Sequence, residues 1–256
     1  MHYCYGVATR DIGKVLVIVP TYNERESLPV IVAGIRQAEP EVHILIADDN
    51  SPDGTGEVAD RLSSNDSSIQ VLHRTAKAGL GAAYLDAFGW AKSGGYDVVV
   101  EMDADGSHRP EDLTKILDAL TNNDVVLGSR WIKDGKVVNW AKSREVLSRG
   151  GNLYTRMWLG IPIHDATGGF RAYRMSALAQ MNIADVESQG YCFQVDMAWR
   201  AVRANLRVAE VPITFVEREL GESKMDSSIV KEALWRVTQW GIEKRLTDVK
   251  NLLKRQ

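Results

Sequence analysis

Short apolar runs alternate with amphipathic stretches along the first half of the chain. Five runs rich in Val, Ile and Leu show little polar alternation, which is typical of strands buried on both faces. The predicted strands are Val15–Val19, Val42–Ala47, Ile69–Leu72, Val98–Met102 and Asp124–Leu127. The predicted helices between them are Ser27–Ala38, Asp53–Leu62, Gly79–Lys92 and Pro110–Leu120. This alternation predicts an α/β fold with a mostly parallel central sheet and helices on both faces.

Polar residues follow four of the five predicted strands, at the edge where open α/β sheets bind ligands. The segments are Pro20–Glu24, Asp48–Gly54, Asp103–Asp105 and Gly128–Arg130. Helix capping accounts for about one acid per loop, as expected for Asp53. Capping does not account for the adjacent acids Asp48 and Asp49, or for Asp103 together with Asp105. The four segments therefore predict a ligand site.

The sequence Asp103-Ala104-Asp105, directly after a buried strand, predicts a divalent metal site. Carboxylates at i and i+2 of an extended segment point to the same side, where their repulsion needs a counter-charge. Oxygen ligands suit Mg²⁺ or Mn²⁺, which usually bridges protein carboxylates to substrate phosphates. The chain has neither a Walker sequence nor a dinucleotide fingerprint. Side chains and metal, rather than a glycine-rich loop, would therefore hold a nucleotide diphosphate.

Length and charge narrow the class of protein. The 256 residues suit one α/β domain or two small ones, and the net charge of −3 argues against a nucleic-acid partner. Only two cysteines occur, Cys4 and Cys192, so we expect reduced thiols in a cytosolic protein. The N-terminal segment lacks the apolar core of a secretory signal. The longest apolar runs fall far short of the roughly 20 residues of a membrane-spanning helix.

Ordered motifs carry a family resemblance. PTYNERESL, ADDNSPDGT, MDADGSHRPED and GSR resemble, in order and spacing, the inverting family-2 glycosyltransferases of the GT-A fold. Downstream, GKVVNWAKSREVLSRGGNLYTR, DATGGFRAYR, GYCFQVDM and VPITFVERELGESK resemble the polyprenol (dolichol) phosphate mannose synthases. The resemblance implies a Rossmann-like domain that binds a nucleotide sugar over residues 14–226. Residues 227–256 are expected to form an amphipathic helical extension of the same domain.

The resemblance implies a set of site residues at matching motif positions. Donor contacts would be Pro20, Tyr22, Glu24, Ala47, Asp49, Asp103, Ala104, Asp105, Arg130, Arg218 and Lys224. The metal ion would lie on Asp103 and Asp105, mainly on Asp105. Arg144 and Ser148 would bind the acceptor phosphate. Asp105, Arg130 and Arg144 would be the catalytic residues.

The implied reaction moves mannose, with inversion, from GDP-mannose to a polyprenyl (dolichyl-type) monophosphate. A phosphate monoester has a second pKa of about 6 and is largely ionised at neutral pH, so no general base is required. The reaction needs positive charge instead, which Arg144, Arg218, Lys224 and the metal would supply. Asp196 can be offered as a base, but a helix-surface or capping role is an equal alternative.

The residues alone leave the donor open. Strand-end acids do not separate guanine from uracil, so a polyprenyl phosphate glucosyltransferase that uses UDP-glucose is one alternative. A sugar nucleotidyltransferase would need a glycine-rich, basic first loop, which PTYNERE lacks. A non-catalytic nucleotide-binding regulator is a third alternative, opposed by the intact Asp103, Asp105, Arg130 and GESK.

The C-terminal segment places apolar residues at helical spacing beside many lysines and arginines. The apolar positions are Val230, Leu234, Val237 and Trp240, followed by Leu246, Val249 and Leu253. A basic amphipathic helix with tryptophan favours a membrane surface, and packing on the domain is the equal alternative. With a lipid acceptor, this predicts a peripheral protein on the cytoplasmic face of the membrane. An integral membrane partner protein is a further possibility.

Smaller expectations concern the surroundings of the site. Tyr22 lies beside the first strand end, where a base can stack on its ring. His108 is expected to lead into a helix rather than to ligate metal. Gly168–Gly169 would allow close backbone approach near the acceptor. The loop 131–142 is a candidate for movement, and its two tryptophans are expected to be packing aromatics.

Overall fold

The computed structural model describes residues 10–186, 190–217 and 227–253. The strands are β1 (Val15–Thr21), β2 (His43–Asp48), β3 (Ile69–His73), β4 (Val98–Glu101), β5 (Val125–Ser129), β6 (Lys136–Val138), β7 (Arg171–Arg174), β8 (Val208–Pro212) and β9 (Thr214–Val216). Seven of them form one sheet in the order β3-β2-β1-β4-β7-β5-β8, and β6 pairs with β9 in a separate parallel ribbon.

The helices lie between these strands and after them. They are α1 (Leu28–Ala38), α2 (Thr55–Asn65), α3 (Leu80–Ser93), α4 (Asp112–Leu120), α5 (Lys142–Leu159), α6 (Met175–Gln180), α7 (Gly190–Arg203) and α8 (Ser227–Leu253). A single 3-10 turn, Ile183–Asp185, precedes α7. Cys192 is buried in α7, whereas Cys4 lies outside the described residues.

The sheet confirms the predicted α/β class. All five predicted strands form, and β1 runs parallel to both β2 and β4. The exception is β7, which inserts antiparallel between β4 and β5. Parallel strands need a crossover, usually through a helix, whereas β7 enters in the opposite sense from the loop after α5. The sheet is therefore mostly parallel, as expected.

Strand β1 shows why the apolar runs lack alternation. Successive side chains point to opposite faces of a sheet, and here both faces are covered. Leu16 and Ile18 pack in the core layer beneath α3 and α7. Val17 and Val19 pack in the opposite layer with α1, α2 and α4. Full burial of one such side chain contributes about 1.5–3 kcal/mol, so the strand is held from both sides.

The C-terminal segment forms one continuous helix, α8, that is part of the domain packing. Val237 is buried, and the ring of Trp240 stacks on Trp199 with centroids 5.3 Å apart. Lys244 Nζ donates to the carbonyl of Leu159 at 2.8 Å. Leu246, another member of the predicted apolar series, is exposed. The boundary between residues 226 and 227 stays a prediction.

No helix in the described ranges has both the length and the apolar content needed to cross a bilayer.

Candidate active site

The carboxyl ends of β1, β2 and β4 meet at one edge of the sheet. Thr21 pairs with Asp48 across β1 and β2, and Ile18 pairs with Glu101 across β1 and β4. The strand ends and the loops that follow carry eight of the predicted donor contacts. These are Pro20, Tyr22, Glu24, Ala47, Asp49, Asp103, Ala104 and Asp105. The fold therefore gathers at one edge residues from strands that are up to three strands apart in sequence.

Asp48 organises the second loop from inside. Its Oδ1 accepts hydrogen bonds from Thr21 Oγ1 at 2.9 Å and from Ser51 Oγ at 2.6 Å. Its Oδ2 accepts one from the Ser51 backbone N–H at 3.1 Å. Gly54 is the N-cap residue of α2, and the carboxylate of Asp53 before it accepts from the backbone N–H of Thr55 at 3.0 Å. The carboxylate of Asp48 is thus committed to hydrogen bonds within this edge of the sheet.

Asp49 pairs with Arg74, a residue that the sequence analysis missed. Arg74 Nη1 donates to Asp49 Oδ1, and its Nε donates to Asp86 Oδ2 at 2.9 Å. Lys77 places its ammonium 4.0 Å from the ring centroid of Tyr22. Arg74 and Lys77 follow β3, whose end is not among the four predicted polar segments. The rule that ligands bind at the carboxyl ends of strands applies to β3 as well and would point to both residues.

Asp103-Ala104-Asp105 leaves β4 in a tight turn. Gly106 has a φ of 78°, which residues with a β-carbon rarely adopt. Asp105 Oδ1 accepts from the backbone N–H of Ser107 at 3.0 Å, and His108 Nδ1 accepts from that of Asp103 at 3.0 Å. His108 is buried, and its ring stacks on Phe170 with centroids 5.1 Å apart. His108 therefore supports the turn by packing and hydrogen bonding.

Asp103 and Asp105 fit a divalent cation. The Asp103 side chain keeps 31% of its exposure, and Asp105 is half-buried. A β-carbon on Gly169 would lie 3.6 Å from Asp103 Oδ2, so the backbone approaches this acid closely. Within the described ranges, no three His, Cys, Asp or Glu side chains form a metal-holding group. Two carboxylates, completed by phosphate and water, are a usual ligand set for Mg²⁺, so these two residues could hold such an ion.

A buried polar layer lies beneath these acids. Glu101 is fully buried, and Gln194 Nε2 donates to its Oε2 at 2.9 Å. Burial raises the pKa of Glu101 to about 8, although Arg171 and the Gln194 hydrogen bond act in the opposite direction. Arg171 is fully buried and donates to three backbone carbonyls, two of them in the loop 165–170. The layer therefore holds that loop against the end of β4.

Arg130, at the end of β5, forms a buried ion pair with Asp165. Its Nε and Nη2 donate to different Asp165 oxygens at 2.7 Å, and its backbone N–H donates at 2.9 Å. Nη2 also donates to Thr167 Oγ1 at 3.0 Å. Burial alone would raise the pKa of Asp165, but the charge and hydrogen bonds of Arg130 lower it below its ordinary value. The sequence motif DATGGF contained Asp165, yet nothing in it revealed this partner.

Arg144 lies in the first turn of α5 and links three segments. Its Nη1 donates to Glu217 Oε1 at 2.9 Å, directly after β9. Its guanidinium carbon lies 4.2 Å from the ring centroid of Trp140. Ser148, half-buried, follows one helical turn later on the same face. The two predicted acceptor residues are therefore adjacent, whereas Arg218 and Lys224 lie outside the described residues.

The loop 131–142 packs through its aromatic residues. Trp131 and Trp140 make an edge contact with centroids 6.3 Å apart, and Trp140 also meets Phe215 at 5.3 Å. Arg130 lies beside all three rings, 5.3–5.4 Å from their centroids. Outside this loop, Asp196 is buried in α7, where Arg200 Nε donates to it at 2.8 Å. These contacts are those of packing aromatics and of a helix ion pair.

The chain belongs to glycosyl transferase family 2, whose model matches residues 16–181. It is 52% identical over 247 residues to the polyprenol monophosphomannose synthase of Mycolicibacterium smegmatis, covering 96% of this chain and 93% of that protein. It is 53% identical over 232 residues to the undecaprenyl-phosphate mannosyltransferase of Micrococcus luteus, covering 91% and 96%.

Solved structures share the fold at low sequence identity. Glucosyl-3-phosphoglycerate synthase from Mycobacterium tuberculosis superposes with a TM-score of 0.62 at 16% identity, covering 90% of this chain and 79% of that one. A mannosyltransferase from Pyrobaculum calidifontis, solved with GDP-Man and Mn²⁺, gives 0.58 at 19% identity, covering 92% and 64%. These likenesses confirm the GT-A fold.

Proposed function

We propose that this protein transfers mannose from GDP-mannose to a polyprenyl monophosphate, with inversion and with a divalent metal ion, Mg²⁺ or Mn²⁺. Identity above 50% over more than nine-tenths of the chain to two enzymes named for polyprenol-type mannosyl transfer supports the substrate pair. The observation that carries the proposal is the sheet edge where Asp103 and Asp105 leave β4, at the same end as the acids that follow β1 and β2.

On the donor side, each loop would contribute one kind of contact. Tyr22 and Asp49 would contact the base, and Pro20, Glu24 and Ala47 would be further donor contacts on the same two loops. Asp103 and Asp105 would hold the metal ion beside Ala104, and a bound divalent ion neutralises charge on a departing diphosphate. Arg130 would face the diphosphate from the end of β5, and we assign donor contact also to Arg218 and Lys224.

On the acceptor side, Arg144 and Ser148 would bind the phosphate. An oxygen of that phosphate attacks the anomeric carbon, the bond from that carbon to the diphosphate breaks, and GDP leaves. The attacking oxygen is already ionised at neutral pH, so the protein has to position it and offset its charge. Arg144 suits this work because a guanidinium binds phosphate through two parallel N–H groups.

A transfer assay tests the substrates directly. Purified protein would receive labelled GDP-mannose, GDP-glucose or UDP-glucose with polyprenyl phosphate in detergent, in Mg²⁺, Mn²⁺ or EDTA. We expect label in lipid from GDP-mannose alone and no transfer in EDTA. Label from UDP-glucose would establish the glucosyltransferase alternative. Absence of any lipid product while GDP-mannose still binds would contradict the assigned acceptor.

Replacing one acid tests the metal assignment. We expect Asp105→Ala to lower transfer at least a thousandfold, about 4 kcal/mol of transition-state stabilisation. The thermal midpoint should change little, because relief of the repulsion between the two acids offsets the lost hydrogen bond from the Ser107 N–H. Ser107→Ala is the matched control, since that hydroxyl is buried without a hydrogen-bond partner in the structure. Substantial transfer by Asp105→Ala would contradict the assignment.

We further propose that α5 and α8 rest on the cytoplasmic membrane surface. Val146, Leu153 and Met157 form an exposed stripe on α5, with Met157 72% exposed. Trp235, Ile242 and Leu246 repeat the same spacing on α8, with Trp235 64% exposed. Exposed Lys142, Arg149 and Arg245 accompany them. Apolar stripes beside basic residues are typical of interfacial helices, and a lipid acceptor gives the protein a reason to lie there.

Substitution tests this surface better than truncation, because removing α8 would uncover Trp199, which stacks on Trp240 of that helix. We expect Leu153→Ser with Met157→Ser to reduce co-flotation with phosphatidylglycerol vesicles and transfer to embedded polyprenyl phosphate. Transfer to a short, water-soluble prenyl phosphate should stay unchanged. Val30→Ser, at a residue 70% exposed on α1, is the control. Undiminished flotation by the double variant would place the membrane contact elsewhere.

A further inference from the structure

Asn152 is a buried polar residue on α5, the helix that carries Arg144 and Ser148. The reaction described above assigns no role to Asn152. It is 2% exposed and lies on α5 four residues after Ser148 and eight after Arg144. Residues four apart share one face of a helix, so all three point toward the same side. The opposite face carries the exposed stripe with Leu153 and Met157. A buried side-chain amide is costly unless its hydrogen bonds are made, so its partners are informative.

Those partners join α5 to the loop 165–167. Asn152 Oδ1 accepts from the backbone N–H of Ala166 at 2.8 Å. Its Nδ2 donates to Thr167 Oγ1 at 3.1 Å and lies 3.4 Å from Asp165 Oδ1. The same Nδ2 lies 3.0 Å from the carbonyl of Ser148, inside its own helix. One amide therefore binds the helix to three consecutive residues of a loop that follows it in sequence.

The loop residues that Asn152 binds are those that hold Arg130. Asp165 takes Arg130 in a two-pronged ion pair, and Thr167 Oγ1 accepts from Arg130 Nη2. The path from Arg144 and Ser148 to Arg130 thus runs along one helix face, through one amide, to one carboxylate. Asn152, Asp165 and Arg130 are buried, so their hydrogen bonds are made in a low-dielectric environment, while Thr167 is half-buried.

We propose that Asn152 is a positioning residue that fixes the acceptor-binding face of α5 relative to Arg130. The inference rests on the proposed function, because the distance between Arg144 and Arg130 affects the reaction only if Arg144 binds the acceptor and Arg130 binds the donor. A displacement of about 1 Å between reacting groups can lower a rate on the order of a hundredfold. Asparagine suits the position because it both accepts from Ala166 N–H and donates to Thr167. Aspartate would accept only, and it would add a second carboxylate beside Asp165.

Matched variants on α5 separate positioning from stability. Asn152→Ala removes the link, and Asn152→Asp keeps the size and an acceptor but loses the donor. Thr155→Val is the control, because Thr155 is equally buried and its hydroxyl donates to the Gly151 carbonyl of the same helix. The measurements are the thermal midpoint, GDP-mannose affinity by calorimetry in Mn²⁺ without acceptor, and kcat and KM for polyprenyl phosphate.

We expect both Asn152 variants to lower kcat/KM for the acceptor about tenfold or more, with GDP-mannose affinity within about twofold. Thr155→Val should keep wild-type acceptor kinetics, even where its thermal midpoint falls as far. Acceptor kinetics of the Asn152 variants that match Thr155→Val would overturn the proposal, and so would wild-type behaviour of Asn152→Asp. Failure of the wild-type protein to transfer mannose at all would instead contradict the proposed function, so the two failures are distinguishable.

Discussion

Two arginine–carboxylate pairs flank the site, and they differ in burial. Arg130 and Asp165 have side chains 5% and 0% exposed and bind through two parallel hydrogen bonds. Arg144 and Glu217 are 21% and 37% exposed and share one hydrogen bond. A buried pair cannot lose one partner cheaply, whereas a half-exposed pair is worth little and can change partners. The first pair therefore fixes geometry, and the second leaves its arginine able to accept a phosphate.

Replacing a carboxylate by its amide tests this comparison in both pairs, and we expect the larger effect at Asp165. We expect Asp165→Asn to lower the free energy of unfolding by about 3–5 kcal/mol, because it removes the negative charge from a buried ion pair with Arg130. Urea unfolding measures the loss, and transfer activity should fall with it. A loss of unfolding free energy below about 1 kcal/mol would mean that the Arg130–Asp165 pair contributes no more than a surface pair. The proposed difference between the two pairs would then be wrong.

The pH dependence of the unfolding free energy tests the buried pair in a second way, with a smaller expected effect. The pKa of Asp165 is lowered in the folded protein, so its ionised form stabilises the fold above the pKa of the unfolded chain, about 3.9. That contribution is lost as the pH falls through the folded-state value. Between pH 5 and pH 3 the wild type should therefore lose more unfolding free energy than Asp165→Asn. Parallel losses in both proteins would show that Asp165 does not contribute to the acid sensitivity.

The smallest effect is expected at the exposed pair. Glu217→Gln keeps an oxygen that can accept from Arg144 but removes the charge that competes with a phosphate. We expect the KM for polyprenyl phosphate to fall about threefold, which is less than 1 kcal/mol, with unchanged stability. Steady-state kinetics at fixed GDP-mannose measure it. A raised KM would mean that the carboxylate orients Arg144 and does not compete for it.

The sheet edge at the carboxyl ends of β1, β2 and β4 could be predicted from the sequence, because its residues directly follow strands that are recognisable in the sequence. Runs such as Val98–Val100 are recognisable by composition, and the rule for strand ends then places Asp103 and Asp105. Tertiary partners were not predictable in this way. Arg74 reaches Asp49, Asn152 reaches Ala166 and Glu217 reaches Arg144 only after folding. The spacing of residues in the sequence does not predict these contacts.

The second half shows the same limit in its strands and helices. Strand β7 enters the sheet antiparallel, beside strands that lie far from it in sequence, so periodicity alone did not place it. On α8 the helical spacing was found, but Leu246 faces solvent while Val237 faces the core. An apolar series identifies a helix that has an apolar side. It does not say whether the domain or another surface covers that side.

The ribbon of β6 and β9 has a mechanical consequence for the loop 131–142. The ribbon pairs Lys136–Val138 with Thr214–Val216, and the Glu217 N–H donates to the Val138 carbonyl at 3.0 Å. The loop and the segment ending at Glu217 are therefore mechanically coupled. A movement of this loop would also move Glu217 relative to Arg144. Opening or closing of the loop and a change in the partner of Arg144 would then occur together.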